Sequence, residues 1–163
     1  MLLVSSALEL IISAVAAVLL CSPQTQAAER IHGRVIHVVD GDGLVLMVGE
    51  RRLNIRLADI DAPEQRQPYG IQARQSLSAM CGGQLAQANV SGKDRNSRSI
   101  AQVTCGGTHA NAEQVRRGMA WVFERYAPLD SPLYRLQEEA RAAHRGLWAQ
   151  TDPVPPWVWR NSR

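Results

Sequence analysis

From Ile31 onward the apolar positions follow a period of two, and after Pro68 they change to helical spacing. Ile31 to Val39, rich in β-branched residues, predicts a strand. Asp40-Gly41-Asp42-Gly43 predicts a turn, Leu44 to Val48 a second strand, Gly49-Glu50 a tight turn, and Arg51 to Ala58 a third strand. In the third strand Leu53, Ile55 and Leu57 share one face and Arg52, Asn54 and Arg56 the other, so Arg56 points away from the core leucines. Pro63 and Pro68 keep the next stretch out of helix. Ala73, Leu77, Met80 and Cys81 then predict a helix over 69–81, stopped by Gly82-Gly83.

The second half is less regular. Leu85 to Val90 is a weak strand candidate, Ser91 to Ser97 a polar loop, and Ser99 to Cys105 a strand ended by Gly106-Gly107. Ala110 to Arg117 predicts a helix stopped by Gly118, and Met119 to Tyr126 an extended or irregular stretch. Ser131-Pro132 opens a helix with Leu133, Leu136, Ala140 and Ala143 on one face, ended by Gly146. The tail, 149–163, is rich in Pro and Trp and is expected as an extended strap packed on the domain. Five strands with a helix between the third and fourth is the order of a five-stranded OB-type Greek-key β-barrel, here α+β with about three α-helices.

A chain of 163 residues suits one domain. All but one of its 18 basic residues are arginine, against 15 acidic ones. Arginine grips phosphate bidentately, so the balance fits a polyanionic ligand. The first 28 residues differ from the rest. Leu8 to Leu20 is almost wholly apolar, Ser22-Pro23 ends it, and Thr25-Gln26-Ala27-Ala28 offers small residues for cleavage. Shorter than a bilayer span, this segment predicts a signal peptide over 1–28 and an exported protein, periplasmic or secreted. No Lys or Arg precedes the run and Glu9 lies within it, which leaves an uncleaved anchor through 8–20 as the alternative. Export leaves two thiols, Cys81 and Cys105, as one disulfide or as two buried free thiols.

The candidate chemistry is concentrated between Asp40 and Glu64. Asp40, Asp42, Asp61 and Glu64 surround Arg56, and such a cluster needs positive charge among it. Carboxylate and carbonyl oxygens hold a hard divalent cation and an arginine fork holds phosphate, which together indicate a metal and a phosphodiester. Each motif alone reads as a turn or a solvated strand residue; their co-occurrence in one meander favours the site.

The chain resembles the staphylococcal nuclease family, whose members carry Val-x-Asp-Gly-Asp-Thr, then Arg-Leu-x-x-x-Asp-x-Pro-Glu, then Asp-x-Tyr-Gly-Arg. Here the counterparts are Val39–Gly43, Arg56–Glu64 and Asp94–Arg98, and the resemblance runs from about Ile31 to Trp148, giving a nuclease domain over 29–148. The resemblance implies a Ca²⁺-dependent phosphodiesterase that acts on DNA and RNA and leaves 3′-phosphate ends. By position, Asp42, Asp61 and the Ala62 carbonyl would bind Ca²⁺, with Asp40 supporting them. Arg56 and Arg98 would hold the scissile phosphate and Glu64 would act on the attacking water. Arg95, Asn96 and Tyr126 are candidate substrate contacts. A monomer with no stable protein partner is expected, and no membrane contact beyond the export signal. Gly43 replaces the family's Thr, and Asn96-Ser97 replace Tyr-Gly in the loop carrying Arg98. The competing reading is an OB module that binds nucleic acid with weak or no turnover. A structural envelope protein anchored through 8–20 would leave the carboxylate–arginine set unexplained.

Overall fold

The computed structural model describes residues 29–162; the predicted signal peptide over 1–28 lies outside them. Strands β1 (Glu29–Val38), β2 (Gly43–Val48) and β3 (Arg51–Leu57) form the expected antiparallel meander. β5 (Leu85–Lys93) adds to the other side of β1, and β6 (Ser99–Cys105) pairs antiparallel with β5. β6 then pairs in parallel with β3, matching Ile55 to Ser99 and Leu57 to Ala101. This pairing closes the five strands into the OB-type barrel. Large side chains (Leu44, Leu46, Ile55, Leu57) and small ones (Ala86, Ala88, Ala101) share one buried core.

Among the described residues four α-helices accompany it, one more than the approximate three expected: α1 (Gly70–Cys81), α2 (Ala110–Arg116), α3 (Leu133–Ala142) and α4 (Pro156–Asn161). Short strands complete the fold. β4 (Ile60–Asp61) pairs antiparallel with β8 (Trp121–Val122), and β7 (Thr108–His109) extends β6. Among the described residues no helix is long and apolar enough to cross a membrane.

Three expectations are corrected. The weak candidate Leu85–Val90 is a full strand that runs to Lys93 through a bulge between Val90 and Gly92, so the polar loop shrinks to the turn around 94–98. Its solvent-facing Gln87 and Asn89 disguised it, while Ala86, Ala88 and Val90 point inward. The helix expected to reach Gly146 ends at Ala142, because His144 adopts φ 49° and a 3-10 turn follows over Gly146–Ala149. The tail is not extended throughout: Pro156 stands at the start of α4, with φ preset for a helix and no N–H to leave unpaired.

α1 ends in Cys81 and β6 ends in Cys105, and the two are joined in a disulfide with Cα atoms 5.3 Å apart. Both are buried. The bond closes a loop of sequence separation 24 that contains all of β5. Reduction is expected to lower stability by about 3 kcal/mol through the released chain entropy. Urea denaturation with and without reductant measures it; equal midpoints would refute it.

Candidate active site

The carboxylates gather where the β1–β2 turn meets the segment after β3. Gly41 makes the meeting close: a Cβ there would lie 2.6 Å from the Cβ atoms of both Ala62 and Ala73. Gln114 of α2, fully buried, fixes the turn from within by donating Nε2–H to the carbonyls of Gly41 (2.6 Å) and Ala73 (3.0 Å). Asp42 Oδ2 accepts the Ala62 N–H at 3.0 Å, which locks the two carboxylate-bearing segments together. Asp40 Oδ1 accepts the Asp42 N–H at 3.2 Å. A Cβ on residue 43 would stand 2.7 Å from that same oxygen, so glycine in place of threonine leaves Asp40 room to fold over the turn.

Arg56 lies on the β3 face opposite the leucines, as the alternation predicts, and its Nη2 reaches Asp61 Oδ1 (2.9 Å) and Asp42 Oδ2 (3.3 Å). Both aspartates are buried, at 3% and 1% exposed. Burial pushes the Asp42 carboxyl well above its ordinary range; Arg56 pulls it back, while Asp40 and Asp61 push it further up. Burial alone would lower the Arg56 guanidinium, but Asp42 and Asp61 outweigh it and hold Arg56 above its ordinary value. Arg56 is thus held charged, and the charge of Asp42 leans on it.

Glu64 sits at the rim with its side chain 42% exposed. Its N–H donates to Gln67 Oε1 (3.1 Å), and Gln67 Nε2–H donates to the Val154 carbonyl (2.6 Å). The loop carrying Glu64 is thereby clamped to the tail. Arg160 of α4 completes the cluster. Its Nη2 lies 2.7 Å from Asp61 Oδ2, and its Nη1 lies 2.6 Å from Glu64 Oε1 and 3.3 Å from Asp61 Oδ1. Hydrogen bonding to Asp61 raises Arg160 above its ordinary value.

Arg98 forms a separate group. Asp94 Oδ2 accepts Arg98 Nε–H (2.7 Å), and Asp94 Oδ1 accepts the N–H groups of Asn96 (2.9 Å) and Arg98 (3.0 Å). Burial alone would raise the Asp94 carboxyl, but these bonds outweigh it and hold it below its ordinary value. Ser97 takes φ 62°, so the loop keeps the left-handed turn that a glycine would favour. Arg98 faces an open pocket of about 250 Å³ with Val39, Gly43, Leu44, Asn54 and Ile55.

Asp40, Asp42, Arg56, Asp61, Ala62 and Glu64 are thus brought together. Arg98, Arg95 and Asn96 share the 94–98 turn, and Arg95 and Asn96 are exposed. Tyr126, 64% exposed, packs edge-on to Phe123 at 5.0 Å in an aromatic patch. Among the described residues no hydrogen bond or ion pair links Arg98 or Tyr126 to the carboxylates. Sequence reasoning missed Gln67, Gln114 and Arg160. The two amides look like ordinary polar positions, and the only signal for Arg160 was its place beside Trp157 and Trp159 in a tail expected to pack.

Two stability effects follow. Gln114→Leu removes the Gln114 donor from the buried Gly41 carbonyl and a second bond from the helical Ala73 carbonyl, and is expected to cost about 1–3 kcal/mol; Ser97→Gly removes backbone strain and is expected to gain up to about 1 kcal/mol. Chemical denaturation measures both, and an unchanged Gln114→Leu midpoint would show that the turn needs no such support.

Residues 54–150 match the profile of the family described as "Staphylococcal nuclease homologue". An "Uncharacterized endonuclease" of Escherichia coli O157:H7 is 42% identical over 134 residues, spanning 82% of this chain and 87% of that protein. A "Micrococcal nuclease" of Shigella flexneri is 35% identical over 159 residues, spanning 91% of each. An "Uncharacterized endonuclease" of Haemophilus influenzae is 37% identical over 129 residues, spanning 78% of this chain and 71% of that protein. The closed barrel, the carboxylate–arginine cluster at its side and these matches together make the chain a member of the staphylococcal nuclease family.

Proposed function

We propose that this protein is an exported, Ca²⁺-dependent endonuclease that hydrolyses DNA and RNA and leaves 3′-phosphate ends. Nucleic-acid hydrolysis is supported by relatives named as nucleases over most of their length. The observation that carries the finer reading is the buried Asp42–Arg56–Asp61 group with Glu64 at its rim. Export is supported by the apolar pattern of residues 1–28 and by the Cys81–Cys105 bond, which endures in oxidising compartments.

The donor set fits a hard cation. Asp42 and Asp61 offer carboxylate oxygens and Ala62 a carbonyl. Among the described residues the guanidiniums that pair with this four-carboxylate group (Asp40, Asp42, Asp61 and Glu64) are those of Arg56 and Arg160, so a doubly charged cation would balance the cluster. Among the described residues no group of three or more His, Cys, Asp or Glu side chains is arranged as a metal cage. Two carboxylates and a carbonyl leave positions for water and phosphate. Ca²⁺, when bound, supplies charge neutralisation to the phosphodiester oxygens.

The side chains do the rest. Arg56 spends one edge of its fork on Asp42 and Asp61 and keeps further N–H donors for a non-bridging phosphate oxygen. Arg98, held by Asp94, is the second phosphate donor, and both stabilise the charge that develops on the phosphoryl group. Glu64 accepts a proton from the attacking water. The water oxygen bonds to phosphorus, the bond to the 5′ oxygen breaks with that oxygen taking up a proton, and the phosphate stays on the 3′ side.

Purified residues 29–163 incubated with plasmid DNA and with RNA, in Ca²⁺ or in chelator, test the reading. Cleavage is expected with Ca²⁺ only, with phosphate on the 3′ ends. Asp61→Asn should abolish turnover in a folded protein. Arg56→Lys and Arg98→Lys should each cost ~100-fold or more in kcat, the range for losing a preorganised donor to developing charge. Glu64→Gln should lower kcat with KM nearly unchanged. Full activity in excess chelator would refute the metal assignment, and wild-type turnover in Arg98→Lys would remove that residue from the mechanism.

A further inference from the structure

The C-terminal segment docks at three points within seven residues. The Val154 carbonyl accepts the Gln67 Nε2–H. Trp157 stacks on Phe123 (centroids 5.2 Å apart, planes 10° apart) and stands edge-on to Trp121 at 5.9 Å. Arg160 then lays its fork across Asp61, Nη1 to Oδ1 and Nη2 to Oδ2, while Nη1 also reaches Glu64. Pro155 and Pro156 fix the approach of the short helix, so little chain entropy remains to be lost when the arginine docks.

The oxygens held by Arg160 are the ones that the nuclease reading needs free. With Oδ1 taken by Arg56 and Arg160 and Oδ2 by Arg160, Asp61 keeps a single lone-pair site, and a cation there would stand against a guanidinium charge; the Glu64 oxygen that accepts Arg160 Nη1–H is likewise occupied. Direct contact, aromatic anchoring and tethering in the same chain point one way. We propose that the C-terminal segment is a built-in competitor: Arg160 occupies Asp61 and Glu64 and must withdraw before a divalent cation binds and before Glu64 can act on water. The proposal rests on the reading of Asp42, Asp61 and Ala62 as the cation donors.

The competition is graded. Arg160 and Glu64 have side chains 39% and 42% exposed, so that arm of the contact is screened and easily exchanged, whereas Asp61 is 1% exposed and holds its partner more firmly. A tethered group acts at millimolar effective concentration or above, and it lowers apparent cation affinity by the fraction of molecules with the tail docked. Trp157 sets that fraction from a distance, because its ring touches Phe123 and Trp121.

Titration calorimetry of the protein with Ca²⁺ alone tests this, using the parent, Arg160→Gln, Trp157→Ala and, as a charge control, Arg135→Gln on the exposed face of α3. Arg160→Gln is expected to tighten Ca²⁺ binding about 10-fold, as for a tail docked in about nine molecules of ten. Trp157→Ala should shift in the same direction by less, and Arg135→Gln should match the parent. Unchanged or weaker binding in Arg160→Gln, with binding in the parent, overturns the proposal and leaves the metal reading standing. Equal tightening in Arg135→Gln reduces the effect to net charge and overturns it as well. Heat of binding in none of the four proteins refutes the metal reading itself, and the competition with it. Circular dichroism establishes that each variant is folded.

Discussion

The position of one guanidinium, Arg56 between two buried aspartates, governs the arrangement around it. Two carboxylates at 3% and 1% exposure repel each other in a medium that screens poorly, and neither has water to solvate it. Arg56 is the one guanidinium that pairs with both among the described residues, and it lets them face the same space. The constraint reaches outward. Arg56 must stand on the outer face of β3, so the alternation of that strand cannot slip by one residue without moving the charge to the core. Asp42 must arrive on a turn tight enough to bring its Oδ2 to the Ala62 N–H, which requires a glycine at 41.

Three buried amides hold the helices to this frame. Gln114 ties α2 to the first turn and to α1. Asn111 accepts the Val103 N–H and donates to the carbonyls of Ala58 and Ala101, so α2 also grips the seam between β3 and β6. Gln137 of α3 accepts the Val122 N–H of β8. In each case a buried helix amide bonds to the backbone of a neighbouring element, and the geometry of the site follows from these bonds as well as from the carboxylates.

The sequence carried the barrel and the Asp40–Glu64 cluster for physical reasons that a single chain can express. Period-two alternation in Arg51–Leu57 is visible because one face is wet and the other dry, and Asp-Gly-Asp-Gly is visible because turns restrict composition. β5 was hard to read because its inward residues are alanine, which a barrel needs for room and which carries little strand signal. Arg160 was illegible for a different reason. Nothing in Trp157–Arg160 says which surface of the domain it will meet, since the contact lies 96 and 99 residues away from Glu64 and Asp61 in sequence. The same holds for Gln67 and Val154, 87 residues apart.

The parallel pairing of β3 with β6 has a kinetic meaning. It joins segments separated by about forty residues, and such a contact must wait for the intervening hairpins and helix to form before its entropy of closure is recovered. Arg56 is on one side of that seam and Arg98 directly precedes the other. The segments that carry the two arginines therefore come together late, when the barrel shuts. A chain still threading out of a ribosome carries each of them on a segment not yet joined to the other, and so lacks the assembled seam until folding is all but finished.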